Sequence, residues 1–97
     1  MRFASLGSGS RGNGSIVASQ TTIVLVDCGF QYKEALARLK RLRLDPEDLD
    51  GILVTHEHSD HVSGVEVLAN KHSIPVYASR GPWIEIGIDK FDKPICI

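Results

Sequence analysis

The sequence has no long hydrophobic run, few cysteines and little net charge. Its 97 residues carry a formal net charge of -1 at pH 7, which excludes a strong overall attraction to nucleic acid. The longest apolar stretches, residues 23–26 and 52–54, are much shorter than the roughly 18 to 20 residues of a membrane-spanning helix. No extended apolar segment follows Met1, so we expect a cytoplasmic protein with no membrane partner.

Two cysteines, Cys28 and Cys96, stand far apart in the sequence. This spacing is unlike the paired thiols of a zinc ribbon, and two cysteines are too few for a disulfide scaffold. We therefore expect two buried free thiols. Hydrophobic residues make up 42% of the chain and charged residues 24%, as in ordinary globular proteins. A chain of this length has room for one hydrophobic core, so residues 1–97 are predicted to form a single domain.

Apolar patterns divide the chain into alternating strands and helices. An amphipathic helix is predicted over residues 32–44, where apolar side chains recur every three or four positions, and a second helix after His61. Residues 83–88 are predicted to form a short helix. This order predicts an α/β fold with a mixed sheet and flanking helices. Strands are predicted at residues 2–6, 16–18, 21–27, 51–55, 74–78 and 93–97.

Two other features have a functional and a structural interpretation. The glycine-rich segment 7–14 contains G-x-G-x-x-G, but a strand rather than a helix is predicted after it, which excludes a dinucleotide site. Contact of Arg11 or Asn13 with a phosphate stays open. Five basic residues lie between Lys33 and Arg43, and such a row is more often the solvated face of a helix than a contact to nucleic acid.

Three of the four histidines lie in one short segment after a predicted buried strand. Residues two apart in extended backbone point to the same side, so His56 and His58 can converge on one cation. Asp60 and His61 follow where the chain turns toward the next helix, so they can reach a second cation. This clustering favours a two-metal site over a solvated polar loop or a closed structural zinc site, which usually contains cysteines.

The helix after this cluster supports metal binding. Ser59 can cap it, which places Asp60 and His61 in the first turn, where the partial positive charge favours a carboxylate and a neutral imidazole. Metals bind these two forms. Gly64 is expected to let the backbone pass close to whatever occupies the site.

The segment Thr55 to His61 resembles the His-x-His-x-Asp-His signature of the metallo-β-lactamase superfamily, and Asp27 resembles that family's upstream aspartate. Residues 3–15 resemble the opening of a small cytoplasmic bacterial branch with exonuclease-like proteins and cyclic-phosphate phosphodiesterases. The resemblance implies the N-terminal half of an αββα sandwich.

The resemblance also implies a dinuclear centre. His56 and His58 would bind the first of two divalent metal ions, and Asp60 and His61 the second. Asp27 would lie behind the ligands and hydrogen-bond the His-rich segment. Zinc suits the imidazole-rich ligand set, and manganese is the alternative.

The expected activity is hydrolysis of a phosphodiester, either a DNA end or a small cyclic phosphate. Two metal ions about 3.5 to 4 Å apart would activate a water, and Asp60 would orient it as the catalytic residue. The family's later ligands are missing, and His72 is expected to be a surface residue. We therefore expect part of a longer hydrolase, with little or no activity in these 97 residues alone.

The alternative is a non-catalytic metal-binding fragment. The oligomeric state is left open, although an exposed apolar sheet face and an open sheet edge would favour self-association.

Overall fold

The computed structural model describes residues 1–7, 12–56, 62 and 64–97. In this part of the chain, six strands form one sheet in the order β1-β2-β3-β4-β5-β6. The strands are β1 (Arg2–Gly7), β2 (Gly14–Ala18), β3 (Ile23–Val26), β4 (Gly51–Val54), β5 (Val76–Ala78) and β6 (Pro94–Cys96). The helices are α1 (Tyr32–Arg41), α2 (Val65–His72) and α3 (Arg80–Ile86), with 3₁₀ turns η1 (Pro46–Asp48) and η2 (Ile88–Lys90).

The first three strands are antiparallel neighbours. Between β2 and β3 the Ser19 hydroxyl oxygen accepts hydrogen bonds from the backbone N–H groups of Thr21 (3.3 Å) and Thr22 (3.1 Å). Side-chain to backbone bonds of this kind favour a turn. The predicted hairpin between the second and third strands is therefore present.

The last four strands are parallel, and each is joined to the next through a helix. Connections of this type are right-handed in nearly all proteins. Because β3 to β6 follow one another in chain order, the three connections step in the same direction and place α1, α2 and α3 on the same face of the sheet. The predicted mixed sheet with flanking helices is thus confirmed.

The hydrophobic core lies between the sheet and these helices. Leu25, Ile52 and Val76 are neighbours across three strands and are fully buried. Leu39 of α1 and Leu68 of α2 are fully buried in the same cluster. Burying a side chain of this size stabilises the fold by about 1.5 to 3 kcal/mol.

The opposite face of the sheet is also apolar, and no helix of the described chain covers it. Burial alternates along β2, so Val17 points away from the core and is half-buried, as is Val24, its partner in register on β3. Phe3 on β1 pairs with Val17 and is 73% exposed. Leu53 on β4 and Tyr77 on β5 pair with each other in the next row of the same face, beside Val26. We call Phe3, Val17, Val24, Leu53 and Tyr77 the open face.

Two helices differ from the predicted bounds. α1 ends at Arg41 rather than at Leu44, because the N–H of Leu42 bonds to the Leu39 carbonyl three residues back and Arg43 adopts a left-handed φ of 60°. α3 begins at Arg80, earlier than predicted. Pro82 is tolerated there because the first-turn N–H groups have no partner within a helix.

One of the two predicted buried thiols is exposed. Cys28 is buried, whereas Cys96 is exposed. The reason is its place in β6, which pairs with β5 on one side and is the edge of the described sheet on the other. The prediction of two buried thiols was therefore wrong for Cys96.

His72 is partly buried rather than fully exposed, which differs in degree from the surface residue that the sequence suggested. Its side chain is only 18% exposed, and its Nδ1 lies 2.6 Å from a carboxylate oxygen of Glu47. Its Nε2 lies 2.8 Å from the hydroxyl of Tyr32. Tyr32 of α1 and Glu47 of η1 thus contact this histidine of α2 on the helix-bearing side of the sheet. No helix in the described ranges combines the length and apolar character needed to cross a bilayer.

Candidate metal centre

The carboxyl ends of the parallel strands β3 and β4 lie side by side, and the candidate site begins there. Asp27 directly follows β3, and Thr55 and His56 directly follow β4. Ligand sites in open α/β sheets commonly lie at this edge. The chain runs from His56 into residues 57–61, which lie outside the described residues.

Asp27 has an uncommon backbone conformation for a residue with a side chain. Its φ is 61°, in the left-handed region that aspartate tolerates better than most residues. Its N–H donates to the carbonyl of Leu53 at 2.8 Å, so the loop after β3 stays attached to β4. The residue is 7% exposed, which makes Asp27 a buried acidic residue beside the end of β4.

The carboxylate of Asp27 binds Thr55 with both oxygens. The backbone N–H of Thr55 donates to Oδ1 at 2.8 Å, and the Thr55 hydroxyl donates to Oδ2 at 2.5 Å. Hydrogen bonds to an ionised carboxylate are stronger than those between neutral groups. This pair of bonds fixes the residue that precedes His56.

His56 is exposed, and its ring is in contact with the same hydroxyl. Nδ1 of His56 lies 2.9 Å from Oγ1 of Thr55. Asp27, Thr55 and His56 therefore form one hydrogen-bonded chain from the buried end of β3 to an imidazole at the surface. Histidines that bind metals are commonly held in this way through one ring nitrogen.

Cys28 lies in the same loop but is unsuited to bind a metal at neutral pH. Burial, together with a smaller effect of the neighbouring Asp27 carboxylate, raises the pKa of its thiol from 9.0 to about 11, although the hydrogen bond to the Phe30 carbonyl lowers it in part. The thiol donates a weak hydrogen bond to the carbonyl of Phe30, 3.7 Å away. Metals bind the thiolate, so the protonated Cys28 leaves imidazole and carboxylate groups as the candidate ligands.

Gly64 brings the start of α2 against the loop after β3. A Cβ atom on this residue would lie 1.9 Å from the carbonyl oxygen of Phe30 and 3.3 Å from Sγ of Cys28. The N–H of Gly64 donates to the Cys28 carbonyl at 3.1 Å. Within the described residues the close approach at Gly64 is to protein backbone, whereas the sequence suggested an approach to the occupant of the site.

The described ends of the glycine-rich segment pack around the ring of Phe30. A Cβ atom on Gly7 would lie 2.8 Å from that ring, and one on Gly12 would lie 2.9 Å from it. The guanidinium of Arg38 lies 4.2 Å from the ring centroid and donates to the carbonyl of Leu6 at 2.5 Å. Arg38 therefore packs against the described ends of the glycine-rich segment instead of belonging to the solvated face of α1. Residues 8–11, including Arg11, lie outside the described residues.

Of the predicted site residues, the structure describes Asp27 and His56. Ser59 and the predicted ligands His58, Asp60 and His61 lie outside the described residues, so their roles stay predictions. Across residues 1–7, 12–56, 62 and 64–97, no three His, Cys, Asp or Glu side chains come together as a metal site. The anchored imidazole of His56 nevertheless has the donor chemistry that zinc prefers.

The sequence indicated no role for Thr55 or Phe30, and it placed Arg38 on the solvated face of α1. Thr55 lies between a buried strand and a histidine, and its hydroxyl group was the one feature of the sequence that could have indicated a hydrogen-bonding role. No sequence pattern indicated the contacts of Phe30, because they are made with glycines far away in the sequence.

Comparison with known proteins identifies the family. The sequence profile of the metallo-beta-lactamase superfamily matches residues 7–91. Exodeoxyribonuclease YycJ of Bacillus anthracis is 46% identical over 83 residues, which are 86% of this chain and 31% of that protein. Exodeoxyribonuclease WalJ of Streptococcus pneumoniae is 43% identical over 82 residues, which are 84% of this chain and 30% of that protein.

The fold is found in solved structures of the same family. The Rm3 metallo-beta-lactamase superposes with a TM-score of 0.70 at 26% sequence identity, over 86% of this chain and 31% of that one. The chain thus spans about a third of the length of these three proteins. Since the profile covers most of the sequence, and the sheet and helices agree with a solved member, the chain belongs to the metallo-beta-lactamase superfamily.

Proposed function

We propose that this chain provides the His-rich part of a metal-dependent hydrolase that cleaves phosphodiester bonds in DNA. The observation that carries the proposal is the hydrogen-bonded chain from Asp27 through Thr55 to His56, at the start of a His-x-His-x-Asp-His segment. Two relatives at 43% and 46% identity are named exodeoxyribonucleases, which supports DNA as the substrate.

In this proposal the four side chains of the His-rich segment divide between two divalent cations. His56 and His58 hold one cation, and Asp60 and His61 hold the other. When bound, the cations supply the Lewis acidity that activates water and stabilises negative charge on the phosphate. Asp60 also accepts a hydrogen bond from the attacking water and so orients it.

The remaining residues of the site hold the candidate ligands in position. Asp27 and Thr55 fix the backbone and the ring at His56, where an error in position would weaken cation binding. Cys28 stays protonated behind them, because burial raises the pKa of its thiol. Zinc fits the imidazole donors, and manganese is the alternative where carboxylates contribute.

Cation binding is tested on the chain itself. Zinc affinity is measured by competition with a chromogenic chelator for the wild type, His58→Ala and the control His72→Gln. We expect His58→Ala to lose more than about tenfold in affinity, since even residues behind the ligands contribute that much. His72→Gln should keep the wild-type affinity, because His72 bonds to Tyr32 and Glu47 on the helix-bearing side. Equal affinity in all three proteins would contradict the ligand assignment.

DNA cleavage is tested in a chimera, since we expect the 97 residues alone to have little or no activity. The matching segment of the Bacillus anthracis exodeoxyribonuclease is replaced by this chain, and degradation of end-labelled linear DNA is followed with zinc or manganese. The chimera should degrade DNA, His58→Ala should abolish degradation, and His72→Gln should retain it.

Three results would change the proposal. A chimera that folds and binds metal but leaves DNA intact would overturn DNA as the substrate. Hydrolysis of cyclic nucleotides in its place would assign the small cyclic phosphate. Metal binding with no hydrolysis of either substrate would favour the non-catalytic metal-binding fragment.

A further inference from the structure

The hydroxyl group of Thr55 makes two contacts but carries one hydrogen. It lies 2.5 Å from Oδ2 of Asp27 and 2.9 Å from Nδ1 of His56. An ionised carboxylate only accepts hydrogen bonds. The other carboxylate oxygen already accepts the Thr55 backbone N–H at 2.8 Å. The single hydroxyl hydrogen must therefore point to Asp27.

This assignment determines where the ring hydrogen of His56 lies. With its hydrogen directed to Asp27, the Thr55 oxygen is only an acceptor toward the ring. The 2.9 Å contact is then a hydrogen bond when Nδ1 is the protonated nitrogen. In the neutral ring the lone pair is consequently on Nε2, and neutral imidazole binds a cation through the nitrogen that lacks hydrogen.

We propose that Thr55 is a positioning residue that fixes the Nδ1–H tautomer of His56, so that Nε2 is presented to a cation before the cation arrives. Asp27 acts on His56 through this hydroxyl. The part of this inference that concerns cation binding rests on the proposed function, whereas the tautomer is a property of the metal-free chain. Presetting the tautomer removes the cost of shifting a hydrogen between ring nitrogens on binding.

The tautomer is measured directly by long-range proton–nitrogen correlation NMR on the metal-free chain with nitrogen-15-labelled histidine. The sample is held about two pH units above the usual histidine pKa of about 6.5, so that the rings are neutral. The ring signals of the four histidines are assigned with single His→Gln variants. The wild-type His56 should show the Nδ1–H form as its major tautomer.

Three substitutions separate the hydroxyl from the shape of the side chain. Thr55→Val removes the acceptor and should return His56 to a mixture of tautomers, whereas Thr55→Ser should keep the Nδ1–H form. In Asp27→Asn, Nδ2 can donate to the Thr55 oxygen, which frees the hydroxyl hydrogen for Nδ1. This variant should therefore shift His56 toward the Nε2–H form. If Thr55 had only a structural role, Asp27→Asn would not change the tautomer of His56 from Nδ1–H to Nε2–H.

Zinc affinity provides the second measurement. Thr55→Val should bind zinc roughly 10- to 100-fold more weakly than the wild type, and Thr55→Ser should restore most of the loss. An Nε2–H tautomer in the wild type, or no change in either Thr55→Val or Asp27→Asn, would overturn the inference even if zinc binds. The expected tautomers without zinc binding by any protein would support the assignment to Thr55 and overturn the proposed function. If Thr55→Val fails to fold, the folded Asp27→Asn and Thr55→Ser proteins still decide the tautomer.

Discussion

At the scale of single residues, the first two positions of the loop after β3 each accept few residue types. Asp27 combines a left-handed φ with a carboxylate that accepts two hydrogen bonds from Thr55. The next residue, Cys28, is fully buried beside that carboxylate. A larger side chain at position 28 would displace the loop that holds Thr55, so the candidate site depends on residues that are not ligands.

The raised pKa of Cys28 makes stability depend on alkaline pH. A thiol with a pKa of about 11 when folded and 9.0 when unfolded favours the folded state below about pH 9. This contribution is lost as the pH rises from 9 toward 11, because the unfolded chain ionises first. Two pH units correspond to about 2 to 3 kcal/mol. Urea unfolding at a series of pH values should show this loss in the wild type and its absence in Cys28→Ala.

The exposed thiol provides the control for this measurement. Cys96→Ala removes a cysteine at the edge of the sheet and should retain the wild-type loss of stability. Identical pH dependence in the wild type and Cys28→Ala would show that ionisation of the buried thiol is not coupled to folding.

At the scale of elements, the start of α2 and the loop after β3 meet at a contact that only glycine permits. The N–H of Gly64 donates to the carbonyl of Cys28, and the carbonyl of Phe30 lies where a Cβ atom would be. α2 follows the His-rich segment in the chain, so this contact and the bonds of Thr55 fix described residues on either side of the segment. The relative position of α2 and the loop therefore bears on the candidate ligands between them.

Substitution of Gly64 by alanine should separate these two elements. A methyl group 1.9 Å from the Phe30 carbonyl oxygen forces the backbone apart, and we expect a loss of about 1 to 3 kcal/mol in the free energy of unfolding. Urea unfolding measures it. Gly81→Ala in α3 is the matched control, because no atom lies within 4 Å of its added Cβ atom and alanine favours helices. Equal stability of Gly64→Ala and the wild type would contradict the close contact.

The elements were largely predictable from the sequence, because their apolar periods are local. The hairpin, α1 and the strand before His56 were each predicted within a few residues. α1 ends at Arg41 rather than at the predicted Leu44, since its end depends on the left-handed φ of Arg43. Contacts between elements were also missed, as with the bonds of His72 to Tyr32 and Glu47. Such contacts join residues that are far apart in sequence and follow from packing rather than from a local pattern.

The candidate site was also predictable from the sequence only in part. The spacing of the His-rich segment indicated a metal site, and Asp27 was singled out by its resemblance to the family's upstream aspartate. The role of Thr55 depends on a hydroxyl that meets a carboxylate from a neighbouring strand at 2.5 Å. Register between β3 and β4 brings these groups together, and register cannot be deduced from the spacing of the motif alone.

At the scale of the whole molecule, the three helices on one side leave the open face without a partner in the described chain. Contiguous apolar surface of this kind commonly marks a site of association. We therefore expect the 97-residue chain to self-associate through the open face. Sedimentation velocity at increasing protein concentration should show species larger than the monomer.

A pair of lysine substitutions locates the interface. Phe3→Lys on the open face should shift the distribution toward monomer, because burying the new charge is unfavourable. Ile84→Lys in α3 is the matched control, since Ile84 is 68% exposed and Phe3 is 73% exposed. A compact monomer at all concentrations, or an equal effect of both substitutions, would contradict association through this face.

The order of the strands in the sheet has a consequence for synthesis on the ribosome. Each strand from β2 to β6 pairs with the strand made immediately before it. An emerging segment thus finds its partner already exposed outside the exit tunnel, and no earlier pair has to open to admit a later one. Chains fold from the N-terminus as they are made, at about 5 to 20 residues per second. The sheet can therefore grow stepwise during translation, with β1 and β2 as its seed.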